Sequence, residues 1–170
     1  HESAQLDKND VVLEVGTGTG SLTGAMALEA GRVVTVEVDP TMHEMGKQEH
    51  WDKDNIRFLF ADILENKNRL NRDVLNVLRE ELANNPGFRF KLCANLPYQI
   101  ATNLLLTDIP PHSMTVTIQK EVGDRIVARP RTKDYGALAV WMQAQCDCRI
   151  VRIMPPSVFW PRPKVDSAIV

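Results

Sequence analysis

Apolar and β-branched residues gather into short runs along the chain. Four of them, VVLEV (11–15), RVVTVEV (32–38), IRFLFA (56–61) and FRFKLCA (88–94), are bounded by turn or polar residues, and a fifth, MTVTIQ (114–119), follows. Within each run the apolar positions are nearly continuous, the pattern of strands covered on both faces in a parallel sheet. Helical stretches lie between them. SLTGAMALEA (21–30) separates the first two, PTMHEMGKQEHW (40–51) opens with a proline suited to a first helical turn, and LNRDVLNVLREELANN (70–85) shows apolar spacing of three and four before Pro86-Gly87 stops it. Strand and helix in alternation predict a doubly wound α/β sheet.

After the fifth run the pattern changes. KEVGDRIVA (120–128) and YGALAVWMQAQC (135–146) read as helices, while CRIVRIM (148–154) and VDSAIV (165–170) read as strands joined by the proline-rich PPSVFWPRPK (155–164). Ten residues are too few for a helical crossover, so these last two strands are expected to be antiparallel neighbours. The sum is seven strands, mostly parallel, with an antiparallel terminal hairpin.

At 170 residues, 44% hydrophobic and 25% charged, the chain has the size and composition of one globular domain. It holds no apolar run of about eighteen residues, and the opening HESAQLDKND has neither a basic nor an apolar leader segment, so neither a membrane span nor a signal peptide is expected. Cys93, Cys146 and Cys148 form no CxxC pair and have no histidine cluster beside them; neither a zinc site nor a disulfide framework is expected, and no metal. Cys93 reads as a small apolar core residue on a strand. A reducing, cytoplasmic setting and a monomer are the expectations. The chain stops inside an apolar strand at Val170 and starts shortly before another, the expectation for a piece of something longer.

The net charge of −2 by itself argues against a nucleic-acid partner, but its distribution is uneven. Residues 1–119 hold 11 Lys and Arg against 17 Asp and Glu, whereas residues 120–170 hold 9 against 5. Arg125, Arg129, Arg131, Lys133, Arg149, Arg152, Arg162 and Lys164 could face a phosphate backbone or form an ordinary solvated surface.

EVGTGTG (14–20) follows the first strand and precedes a helix, where glycines let the backbone approach a ligand closely. A dinucleotide fingerprint starting at Gly16 would want Gly or Ala at position 21, where Ser21 stands. The G-x-G-x-G form of Gly16, Gly18 and Gly20, preceded by Glu14, instead resembles the first motif of S-adenosylmethionine-dependent methyltransferases. The second strand ends in Glu37-Val38-Asp39, 21 residues after Gly16, and a carboxylate at Glu37 can accept from both hydroxyls of a ribose in either cofactor. The third ends at Ala61-Asp62-Ile63, placing an acceptor for an adenine amine beside an apolar residue for the ring face. Three successive strand ends at one sheet edge favour a nucleoside site.

The fourth run ends in Asn95-Leu96-Pro97-Tyr98. Adenine's exocyclic amine is a poor nucleophile because its lone pair is delocalised into the ring. Two acceptors on its hydrogens, the Asn95 side-chain oxygen and the Leu96 carbonyl, favour a pyramidal nitrogen aimed at a methyl sulfonium. Pro97 fixes the loop and Tyr98 offers a face for stacking the base.

NLPYQIAT (95–102), with VLEVGTGTGSLT, VEVD, ADIL, IQKEVGDRIVARPRTKDYGALAV and PPSVFWPRPKVDSAIV, closely resembles the ribosomal RNA adenine dimethyltransferases, in order from about residue 11 to 170. The resemblance implies a Rossmann-like methyltransferase fold. It implies that Gly16, Glu37, Asp62 and Asn95 contact S-adenosylmethionine, that residues 95–98 hold the target adenine, and that Phe159 closes on the base's other face. The candidate cofactor residues are thus Glu14, Gly16, Gly18, Gly20, Glu37, Asp62, Ile63 and Asn95. The implied reaction is dimethylation of the amino nitrogen of two adjacent adenosines in the 3′ hairpin of small-subunit RNA, on an immature small ribosomal subunit. A single-stranded loop suits this, because the base must leave its stack.

Departures from the family pattern are Thr17 and Thr19 where proline and leucine are usual, and a long helix-like segment from Glu65 to Gly87. The family's glutamine-containing amino-terminal segment and helical carboxyl-terminal domain are not found, so residues 1–170 are expected to be a truncated catalytic core. Rival readings are a large-subunit RNA dimethyltransferase, a non-catalytic assembly factor and a dehydrogenase.

Overall fold

The computed structural model describes residues 2–66, 69–95, 98–159 and 162–170, the side chains of Glu2 and Tyr98 excepted. In chain order the main elements are β1 (Asp10–Val15), α1 (Ser21–Glu29), β2 (Arg32–Glu37), α2 (Pro40–Glu49), β3 (Ile56–Phe60), β4 (Leu64–Asn66), β5 (Arg69–Leu70), α3 (Arg72–Asn84), β6 (Arg89–Asn95), α4 (Tyr98–Leu105), β7 (Ser113–Gln119), α5 (Lys120–Ile126), α6 (Ala137–Gln143), β8 (Arg152–Met154) and β9 (Ser167–Ile169). Seven strands follow the order β3-β2-β1-β6-β7-β9-β8, and β4 and β5 form a separate pair. The expected α/β class, with parallel β3-β2-β1-β6 and antiparallel β8 and β9, is what the chain adopts. The chain divides into two compact units, residues 1–115 and 116–170.

In the first unit β1 is central, pairing in register with β2 (Val12 opposite Val33) and with β6 (Val11 opposite Phe90). Its Val11, Val12 and Leu13 are fully buried, with Val33, Val34 and Val36 of β2 and Leu92 of β6. Met26, Ala27 and Ala30 pack with Val12, Val33 and Cys93, so Cys93 is a core residue as its sequence setting implied. α2 begins where the Asp39 side chain accepts from the backbone N–H of Thr41 and Met42, with Pro40 in the first turn. α3 buries Val74, Leu78 and Glu81 at helical spacing; the Glu81 carboxylate accepts from Arg32 of β2 (2.9 Å) and Arg57 of β3 (3.3 Å), ion-pairing the helix to the sheet.

Two expectations need correction here. β3 is an edge strand, half-buried with Phe60 59% exposed, so cover on both faces does not extend to it. The Glu65–Gly87 segment is not helical from its start, since β4 and β5 precede α3; strands of three and two residues leave no periodic signal.

In the second unit, β9 pairs antiparallel with β7 (Ile118 opposite Ala168) and β8 (Ile153 opposite Ala168). Gly123 of α5 lies against Ala168 and Val170, and Gln143 of α6 donates to the Ile126 and Ala128 carbonyls, closing the end of α5. CRIVRIM is strand only over Arg152–Met154, at the sheet edge, although the Val151 N–H still donates to the Ile169 carbonyl.

Candidate functional site

The strand order brings four loops to one edge of the first unit, at the carboxyl ends of β3, β2, β1 and β6. They carry, in that spatial order, Asp62-Ile63, Glu37, the glycine loop and Asn95. In open α/β sheets ligands bind outside the carboxyl ends of the strands, where the winding reverses.

The glycine loop is held by its own backbone. Gly16, Gly18 and Gly20 have φ of 85°, 54° and 81°, left-handed values that favour glycine. The Gly16 N–H donates to the Val36 carbonyl and the Gly20 N–H to the Thr17 carbonyl. A Cβ at Gly16 or Gly18 would meet nothing within 4 Å, so the loop presents open space there.

Glu37 closes the loop from β2. One carboxylate oxygen accepts from the Gly18 N–H (3.0 Å) and the other from the N–H groups of Val38 and Asp39 (2.9 Å each). A carboxylate offers about four lone-pair directions. Three amides leave one free for a hydroxyl, and displacing Gly18 would free a second.

Glu14 lies beneath the loop, 1% exposed. Its Oε2 accepts from the hydroxyls of Thr23 (2.5 Å) and Thr35 (2.7 Å). The Thr35 hydroxyl has one proton, spent on Glu14, so the Thr17 hydroxyl 2.6 Å away donates to Thr35. The Glu14 Oε1 is buried with no hydrogen-bond partner among the described residues. Burial pushes the carboxyl up to about 7, and the nearby charge of Glu37 acts the same way against the pull of the two hydroxyls. Sequence reading identified Glu14, and Thr17 as a departure from the family pattern, but missed the hydroxyl network that joins Thr17, Thr23 and Thr35 to Glu14. The available signal was Thr35 itself, a hydroxyl in the middle of the apolar run RVVTVEV.

Asp62 is exposed, its Oδ1 accepting from the Leu64 N–H (2.8 Å). The loop is pinned by Asn71, the amino-terminal cap of α3, whose side chain donates to the Asp62 carbonyl (3.0 Å) and whose N–H donates to that of Ile63. Ile63 is buried, so the apolar face expected there is packed inward. Phe60, not singled out from sequence, presents an exposed ring two residues before Asp62, tilted against His43 at 5.5 Å between centroids.

Asn95 ends β6 beside β1 and is exposed, its side chain without a hydrogen-bond partner among the described residues. Leu96 and Pro97 lie outside the described residues, as does the side chain of Tyr98, whose backbone opens α4. Phe159 belongs to the second unit, half-buried after the short 3-10 helix Pro156–Val158. The eight cations noted above are all exposed there, and among the described residues none is ion-paired; Lys120, by contrast, pairs with Asp124 at 2.6 Å. No group of three His, Cys, Asp or Glu among the described residues could hold a metal ion, and none of their helices is long and apolar enough to cross a membrane.

A nucleoside cofactor with a cationic arm fits these residues. The loop is open above Gly16 and Gly18, Glu37 can accept from hydroxyls, and the buried Glu14 Oε1 has acceptor capacity to spare.

Comparison with known proteins agrees. The sequence model of the family described as "Ribosomal RNA adenine dimethylase" matches residues 1–170. A Clostridium acetobutylicum protein, "Ribosomal RNA small subunit methyltransferase A", is 39% identical over 173 residues, covering 99% of this chain and 58% of that protein. Among solved structures, a dimethyladenosine transferase from Plasmodium falciparum superposes with a TM-score of 0.79 at 26% identity, over 99% of this chain and 57% of the other. The 23S rRNA methyltransferase ErmE superposes at 0.70, also 26% identical, over 99% of this chain and 62% of its own. The chain therefore spans less than two thirds of the length of each. Matched from first residue to last, this chain belongs to the ribosomal RNA adenine dimethylase family.

Proposed function

We propose that this chain is the catalytic core of an S-adenosylmethionine-dependent enzyme that dimethylates the exocyclic amine of two adjacent adenosines in the 3′-terminal hairpin of small-subunit ribosomal RNA. The observation that carries the reading is Asn95, an exposed amide without a partner among the described residues at the end of β6, on the strand next to the one that bears the glycine loop. Family membership supplies the RNA class.

The glycine loop, Glu37 and Asp62 are the residues that would hold the cofactor, which when bound supplies an electrophilic methyl group. The Asn95 side-chain oxygen accepts one amine hydrogen and the Leu96 carbonyl the other, so the nitrogen lone pair is withdrawn from the ring. Tyr98 stacks on the base. No dedicated base catalyst is required, because the amine proton becomes acidic only once the nitrogen is alkylated, and it leaves to water. The exposed cations of the second unit supply phosphate contacts. The working form is a monomer acting on the immature small subunit in the cytoplasm.

The structural likeness to ErmE keeps a second reading in view, methylation of large-subunit RNA. The test uses the natural protein that carries this chain, labelled S-adenosylmethionine, under-methylated small subunits and, separately, large-subunit RNA, with mass mapping of the label. Dimethyladenosine in the small-subunit 3′ hairpin is the expected result. Label only in large-subunit RNA overturns the substrate assignment, and cofactor binding with no label in either RNA points to a non-catalytic assembly factor.

A further inference from the structure

α2 touches the glycine loop at both of its ends. It begins three residues after Glu37, whose carboxylate holds the Gly18 N–H, and its carboxyl end is capped by His50, which reaches across to the start of α1. The His50 Nε2 lies 2.8 Å from the Gly20 carbonyl oxygen. A carbonyl only accepts, so Nε2 carries the proton and donates. The same carbonyl receives the Gly24 N–H at 2.8 Å, the first helical bond of α1. His50 thus adds a second donor to the peptide group on which the loop turns into the helix.

The surrounding glycines make room for this ring. A Cβ at Gly24 would come within 2.5 Å of His50 Cε1, and one at Gly20 within 3.0 Å of Nε2. Gly20 is also left-handed, but Gly24 lies inside α1 with no such requirement, where glycine costs about 1 kcal/mol relative to alanine. The imidazole explains its presence. Gly46, one turn before His50, lets α2 close on the loop: a Cβ there would meet Thr17 Cγ2 at 2.7 Å.

We propose that His50 is a positioning residue for cofactor binding: seated against Gly20 and Gly24, it fixes the peptide at the end of the glycine loop in the geometry that receives the cofactor. It touches neither the reacting atoms nor the target base, and it rests on the reading of this loop as an S-adenosylmethionine site.

Its removal should act on cofactor affinity and leave the chemical step alone. His50→Ala is expected to raise the Kd and KM for S-adenosylmethionine about tenfold, the scale of one lost hydrogen bond, with kcat at saturation within about twofold of the parent. His50→Gln, which presents an amide N–H near the Nε2 position, should recover most of that loss. Gly24→Ala should mimic His50→Ala by displacing the ring, and the double variant should be no worse than His50→Ala, because the added methyl then occupies vacated space. Wild-type affinity in His50→Ala, or losses that simply add in the double variant, overturns the proposal. Hydrogen exchange at the Gly24 amide decides the latch even without cofactor: faster exchange in His50→Ala and recovery in His50→Gln support it, and unchanged exchange sinks it. Failure of the unmutated protein to bind S-adenosylmethionine refutes the cofactor reading instead.

Discussion

Asp10 and Glu14 stand on one face of one strand, at opposite ends of β1, 0% and 1% exposed, yet the fold treats them oppositely. At the amino end Asp10 is paired on both oxygens: Arg89 donates at 2.9 Å, Lys91 lies at 2.9 Å, and the Asp7 N–H adds a third bond. Lys91, itself buried, also donates to the Gln5 carbonyl at 2.7 Å. At the carboxyl end Glu14 meets two hydroxyls and, among the described residues, no cation, and one oxygen is left there without a partner. A buried carboxylate with both oxygens answered by cations is architecture; one with an oxygen left bare beside an open loop is where a proton or a ligand completes the set.

Mutation at each end should therefore fail in a different assay. The largest expected effect is at the closed end: Asp10→Asn strands Lys91 in the interior and should destabilise the fold by about 3–5 kcal/mol in denaturant titration, with kcat/KM per folded molecule unchanged. Lost turnover in a fully folded Asp10→Asn protein would erase the distinction between the two ends. At the open end, Asn95→Ala should lower methyl transfer on the order of 10²-fold, the scale for removing one preorganised group aimed at developing charge, while the denaturation midpoint stays put. Unchanged turnover there removes Asn95 from the mechanism.

Glu14 sharpens the contrast through pH. Its native value of about 7 lies above the ordinary 4.5, so the folded protein keeps a proton that the unfolded chain has already released. Stability from this group is therefore full below about pH 4.5 and falls as pH rises to about 7, by at most about 1.4 kcal/mol per unit. Glu14→Gln should flatten that slope, and a profile identical to the parent's would mean the carboxyl is ionised throughout. The smallest effect belongs to the loop after β3: Asn71→Ala removes the cap of α3 and the bond to the Asp62 carbonyl, for a loss of about 1 kcal/mol in thermal unfolding.

The strands and helices were legible because continuous apolar runs and helical spacing report burial directly. So was the backbone placement of the candidate site: glycines at 16, 18 and 20, an acid at the end of β2 and another just past β3 follow from chain order alone. What escaped depends on register and cross-chain distance. Lys91 within FRFKLCA looks like an outward-facing lysine until β6 is laid beside β1 with Asp10 opposite Arg89. Thr17, Thr23 and Thr35 come from three separate elements, and His50 is 30 positions from the carbonyl it meets. No spacing rule encodes such meetings. β4 and β5 escaped for a different reason, being too short for a period of two to repeat visibly.

Cys93, two residues before Asn95 on β6, equips the protein with its own chemical clock. The thiol is 4% exposed and burial pushes it up to about 11, so in the native state it is both shielded and held as the unreactive thiol at neutral pH. Alkylation at that position can proceed only through openings that part β6 from its packing. The rate at which a thiol reagent consumes Cys93 therefore counts how often the strand beneath Asn95 comes apart, and slowing of that rate on addition of S-adenosylmethionine would read out ligand binding without any turnover at all.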